Sequence, residues 1–61
     1  MEKIVSRISL DDFEAALVIC ESLEEAFSLE AEPANLFALF LALRQGFQVE
    51  EKFGILVLKN F

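Results

Sequence analysis

Glu21, Glu24 and Glu25 fall within one turn of any helix that carries them. Three carboxylates so placed could hold a hard cation or share the roles of acid and base. Carboxylate metal sites on helices normally add a histidine from an E-x-x-H pattern, however, and this chain has no histidine. It also lacks tyrosine, tryptophan and threonine, so its one cysteine, Cys20, has no base to activate it. Cys20 lies within an apolar helical stripe, where a thiol behaves as a small hydrophobe. Phosphate-cradling and dinucleotide motifs need several closely spaced glycines, whereas Gly46 and Gly54 are the only two present. The expectation is a protein that is not an enzyme, with no catalytic residue, no metal and no cofactor.

With catalysis set aside, charge is the next guide to function. The formal net charge is −6. Between Leu10 and Leu43 lie Asp11, Asp12, Glu14, Glu21, Glu24, Glu25, Glu30 and Glu32 without a single Lys or Arg. Binding nucleic acid by neutralising phosphates requires a basic stripe, and none is available. Two helices followed by a hairpin is also the succession of a winged helix, but a recognition helix shows polar and basic side chains to the groove. The stretch Leu36 to Leu43 is wholly apolar. Nucleic acid is therefore excluded as a partner, and an acidic face at Asp11, Asp12, Glu14, Glu21 and Glu25 would suit a basic protein instead.

The elements that position these residues follow from periodicity. In residues 3–8, Ile4 and Ile8 alternate with Val5 and Arg7, which predicts a first strand with the two isoleucines on one side. Ser9, with Asp12 three positions later, resembles a capping box, and acids suit the positive end of a helix. A helix is predicted over 10–29, its inner stripe formed by Leu10, Phe13, Ala16, Leu17, Cys20, Leu23 and Phe27. Glu24 interrupts that stripe and Val18 points away from it. Pro33 fits a first helical turn and Gly46 the position just past a helix end, giving a second helix over 33–45. Strands at 47–51 and 54–59, joined by a turn that uses Gly54, complete the chain, with the last strand placed centrally because it is apolar on both faces.

The predicted fold is a single α+β domain of order β-α-α-β-β, with both helices on one face of a two- or three-stranded antiparallel sheet. A chain of 61 residues buries only about 60% of the surface it exposes when unfolded. No disulfide or zinc site can assist it, and its hydrophobic content of 56% is high for a domain of this size. Association is the remaining way to cover apolar surface. The expected self-association interface, of a homodimer or higher oligomer, comprises Leu36, Phe37, Leu39, Phe40 and Leu43 of the second helix with Leu56 and Leu58 of the last strand. The phenylalanines read as core or interface anchors.

The N-terminal residues lack a long apolar segment with a cleavage site, and the longest apolar run is too short to cross a bilayer. A cytoplasmic protein without membrane insertion is expected. Two functions fit: a non-catalytic homo-oligomeric protein–protein interaction module, or an acidic inhibitor or antidote-type protein that masks a basic nucleic-acid-binding surface on its partner.

Overall fold

The computed structural model describes residues 4–61, arranged as an α+β fold in which a four-stranded mixed sheet carries two helices. The elements are β1 (Ile4–Val5), α1 (Leu10–Leu23), β2 (Phe27–Glu30), a single 3-10 turn (Pro33–Asn35), α2 (Leu36–Arg44), β3 (Gln48–Lys52) and β4 (Ile55–Lys59). Spatial order across the sheet is β1-β2-β4-β3. β1 runs parallel to β2, while β4 is antiparallel to both β2 and β3.

Three predicted features are corrected. The first helix stops at Leu23, and residues 27–30 form a strand. Glu24 adopts a left-handed conformation, φ 55°, and the Glu25 amide donates to the Cys20 carbonyl at 3.1 Å, which closes the last turn. Glu24 is thus a terminating residue outside the helix, and its apparent place in the apolar stripe disappears. Phe27 and Leu29 then alternate with Ser28 and Glu30, the pattern of a strand with one face on a core. This extra strand makes the sheet mixed, because β1 reaches it through a helical crossover.

The second correction concerns the first strand. Its expected start at Lys3 lies outside the described residues, and the pairing covers only Ile4 and Val5. The two isoleucines do not share a side: Val5 packs towards the core and Ile4 is half exposed. Ile8 reaches the core from beyond the end of the strand.

The last strand sits between β2 and β3, as its two-sided apolar character predicts. Register places Leu58 beside Phe27 and Val49, and Leu56 beside Leu29. These side chains share the inner face with Phe13, Leu17 and Cys20 of α1, Ala38 and Ala42 of α2, and Phe47. Phe13 is the pivot: its ring meets Phe27 edge-on at 6.2 Å and Phe37 at 5.8 Å, the arrangement that aromatic quadrupoles favour.

α1 also has a narrower buried stripe than predicted. Leu10 and Leu23, at its two ends, are about half exposed. A 14-residue helix spans about 21 Å, whereas the four-residue strand beneath it spans about 13 Å, so the helix overhangs the sheet.

Candidate interaction surface

α2 is built the opposite way round from an ordinary amphipathic helix. Its fully buried side chains are the small Ala38 and Ala42, while Leu36, Phe40 and Leu43 are 45%, 65% and 53% exposed. Spacings of four and then three put these three side chains in one outward ridge. Phe37, Leu39 and Leu41 are half-buried along its margins. The helix ends at Gly46, φ 87°, where the Phe47 amide donates to the Ala42 carbonyl at 2.9 Å and the Phe47 ring enters the core. That closure fixes the rotation of the helix, and with it the direction of the ridge.

Five of the seven residues expected at the interface, Leu36, Phe37, Leu39, Phe40 and Leu43, therefore belong to one helix with an exposed outer side. Leu56 and Leu58 do not join them. Both are buried on the inner sheet face, at 3% and 0% exposure, and no partner can reach them without opening the core. β4 faces outward instead with Ile55 and Val57, which are half-buried. Alternation along the strand revealed its two faces but could not show which of them meets the helices.

The acidic residues Asp11, Asp12, Glu14, Glu21 and Glu25 are all exposed on or just past α1. Ser9 caps this helix as predicted, its hydroxyl accepting from the Asp12 amide at 3.2 Å. Asp11, Glu14 and Glu21 follow one stripe, with Val18, itself 67% exposed, in its middle. Among the described residues, ion pairs engage Glu32 and Glu50 but none of these five acids.

Cys20 is buried, and its thiol is pushed up from the ordinary value of 9.0, first by burial and then by the Glu25 carboxylate. A thiol held neutral in this way lacks the thiolate needed for attack or for metal binding. No group of carboxylates and thiol among the described residues is arranged to hold a metal ion. No helix among them is long and apolar enough to cross a membrane.

Two features escaped the sequence reading. One is Asn35, which is completely buried. Its side-chain amide donates to the carbonyls of Ser6 at 2.8 Å and Glu30 at 2.9 Å, and its oxygen accepts from the Ile8 amide at 3.4 Å. One side chain thereby holds the segment after β1 to the end of β2, and Arg7 and Glu32 pair at 2.7 Å. The other is Phe53. It occupies the first turn position of the β3–β4 hairpin with φ 53° and is wholly exposed. Comparison of the chain with protein-family models, with curated proteins and with solved structures finds no match.

Proposed function

We propose that this chain is a non-catalytic interaction module that pairs with a second copy of itself through the outward ridge of α2. The observation that carries the reading is the inversion of that helix, with Ala38 and Ala42 inside and Leu36, Phe40 and Leu43 outside. A two-fold axis passing near Phe40 would set Leu36 of one copy against Leu43 of the other, which is the reciprocal geometry a symmetric dimer requires. Charge supports the same surface. The molecule carries −6, yet Leu36 to Leu43 contains no charged residue, so two copies can meet there without opposing carboxylates.

Size sets the strength. The described molecule exposes 4270 Å², close to the roughly 4,000 Å² expected of a folded monomer of this mass. A standard interface takes about 800 Å² from each partner. The ridge would therefore have to recruit neighbouring surface, and the pairing is expected to be reversible and dependent on concentration. Sedimentation or light scattering from micromolar to millimolar protein tests this. The mass should rise towards two copies, while Phe40→Glu should remain a single copy with an unchanged circular dichroism spectrum. A folded wild-type protein that stays monomeric throughout this range would refute the proposal.

A second reading rests on the five acids of α1, which are exposed and free of ion pairs among the described residues. They would serve an acidic inhibitor that covers a basic surface on another protein. Its association would be fast and would weaken steeply with added salt.

A further inference from the structure

We infer that the outer side of α1 is the docking surface for a basic amphipathic helix of another protein, which lays its apolar ridge on Val18, Ile19 and Leu23 and its lysines and arginines on the carboxylates around them. The inference rests on the reading of α1 as a surface for a basic protein, and it narrows both the contact and the partner.

Its first support is an apolar strip without cover. Val18, Ile19 and Leu23 are each more than half exposed, on a helix whose other side already buries Phe13, Leu17 and Cys20. Ala15, Ile19 and Leu23 follow one another at intervals of four, with Val18 and Ser22 beside them in the same strip. The Ser22 hydroxyl donates to the Ile19 carbonyl at 3.2 Å, so it is turned back onto the helix and does not interrupt the strip. The sheet explains why this side stays open: β1 pairs through two residues and β2 has four, too few to wrap a 14-residue helix. Scattered apolar side chains are ordinary on a surface, whereas several together inside a polar rim mark a contact.

The second support is the sign of that rim. Glu14 and Glu21, four before and three after Val18, run along one side of the strip. Asp11 and Asp12 lie at its N-terminal end, Glu24 and Glu25 at its C-terminal end. All six are exposed, and none has an ion-pair partner among the described residues. Of the eleven acids in the sequence, the five others equal the five bases in number, so these six account for the whole net charge of −6. Charge is balanced over the rest of the molecule and uncompensated around this strip.

Shape and charge together select the occupant. A narrow strip running along a helix axis is matched by a second helix laid beside it. The acidic rim calls for lysine and arginine on the flanks of that helix, where they orient the encounter, while the apolar burial between them supplies affinity. A second copy of this chain would bring the same six carboxylates and be repelled; the uncharged ridge of α2 is free of that conflict.

The test uses fluorescence anisotropy with three synthetic peptides of about 18 residues, long enough to form a helix on contact. One carries leucines at spacings of three and four with lysines elsewhere, one has the same composition reordered so that no apolar face exists, and one is the first with glutamate for every lysine. The basic amphipathic peptide should bind wild type and Phe40→Glu equally, at least tenfold more tightly than the reordered peptide, and the glutamate peptide should not bind. Combined Val18→Ala, Ile19→Ala and Leu23→Ala should weaken binding at least tenfold with an unchanged circular dichroism spectrum, since alanine favours the helix. Combined Glu14→Gln and Glu21→Gln, which leave the strip intact, should weaken it several-fold and flatten its salt dependence. Equal binding of the reordered peptide would overturn the apolar strip while leaving the broader acidic surface standing, and failure of both basic peptides would overturn both. Undiminished binding by the alanine variant or the glutamine variant, loss of binding in Phe40→Glu, or comparable binding of the glutamate peptide would also overturn the inference. So would co-sedimentation of Phe40→Glu with phosphatidylcholine vesicles that the alanine replacements abolish, which would assign the strip to a lipid surface.

Discussion

α1 and α2 rest on the same sheet face but contribute to it in different ways. α1 inserts a phenylalanine and a leucine, Phe13 and Leu17, and exposes carboxylates along much of its outer side. α2 buries only two alanines completely, sets Phe37 and Leu41 at the margin of the core, and directs Leu36, Phe40 and Leu43 outward. The first helix supplies the larger buried side chains, while the second lies close against the sheet and has large apolar groups to spare. A helix can thus be apolar on every side without being buried on every side, and the side that remains exposed is informative about association.

Substitution at the inner position of each helix should sharpen this contrast. Phe13→Ala removes the ring on which Phe27 and Phe37 converge, at a cost of about 3–5 kcal/mol. For so small a domain that approaches the whole stability. Urea denaturation followed by circular dichroism should find this variant largely unfolded in water. Ala42→Leu works in the opposite direction, since added bulk beneath α2 must lift the helix from the sheet. It should cost about 1–3 kcal/mol, read as a lower midpoint with an unchanged slope. If Ala42→Leu were neutral, α2 would not be closely seated and the contrast would fail.

The smallest effect concerns the thiol beneath α1. Burial, followed by the Glu25 carboxylate, raises the pKa of Cys20 in the folded state. The proton is held more tightly in the folded than in the unfolded chain. Below the ordinary value of 9.0 the thiol is neutral in both states and stability is unaffected. As pH climbs through 9.0 the unfolded chain ionises first, so stability should decline towards the folded value. Cys20→Ala should lose this alkaline dependence, and in wild type a thiol reagent at pH 8 should react slowly until denaturant is added. Rapid labelling of the folded protein would show that α1 does not cover the thiol.

How much of this was legible in the sequence varies with the kind of signal. The Ser9 cap, Gly46 at the end of α2, the hairpin after it and the central place of β4 all rest on local chemistry that leaves a clear mark. The end of α1 did not, because Glu24, rather than a glycine, takes the left-handed position. Phe27 happens to continue the helical stripe as well as begin a strand, so two periods overlapped at one residue. The alternation of Phe27, Ser28, Leu29 and Glu30 was the signal that could have separated them. Asn35 was unreadable for another reason: its partners, the backbones of Ser6, Ile8 and Glu30, become neighbours only once β1 and β2 are side by side. Likewise, the apolar character of α2 was plain, but its orientation depends on how near the sheet comes. That placed Leu36, Phe40 and Leu43 correctly on the surface and Leu56 and Leu58 wrongly there.

The position of β4 between β2 and β3 also has a bearing on the order of events during folding. β3 and β4 are neighbours in sequence, and a hairpin of this kind closes within about 1–10 μs. β2 has to wait, since its antiparallel partner lies beyond α2 and the hairpin, and closing so long a loop is slow. β1 is no nearer to β2 along the chain, since Ile4 pairs with Ser28, so until these seams zip the hairpin carries an open edge along β4. The rate-limiting step should therefore be the closing of β2 onto the preformed hairpin, and the open-edged species that precedes it is the one most exposed to wrong pairing.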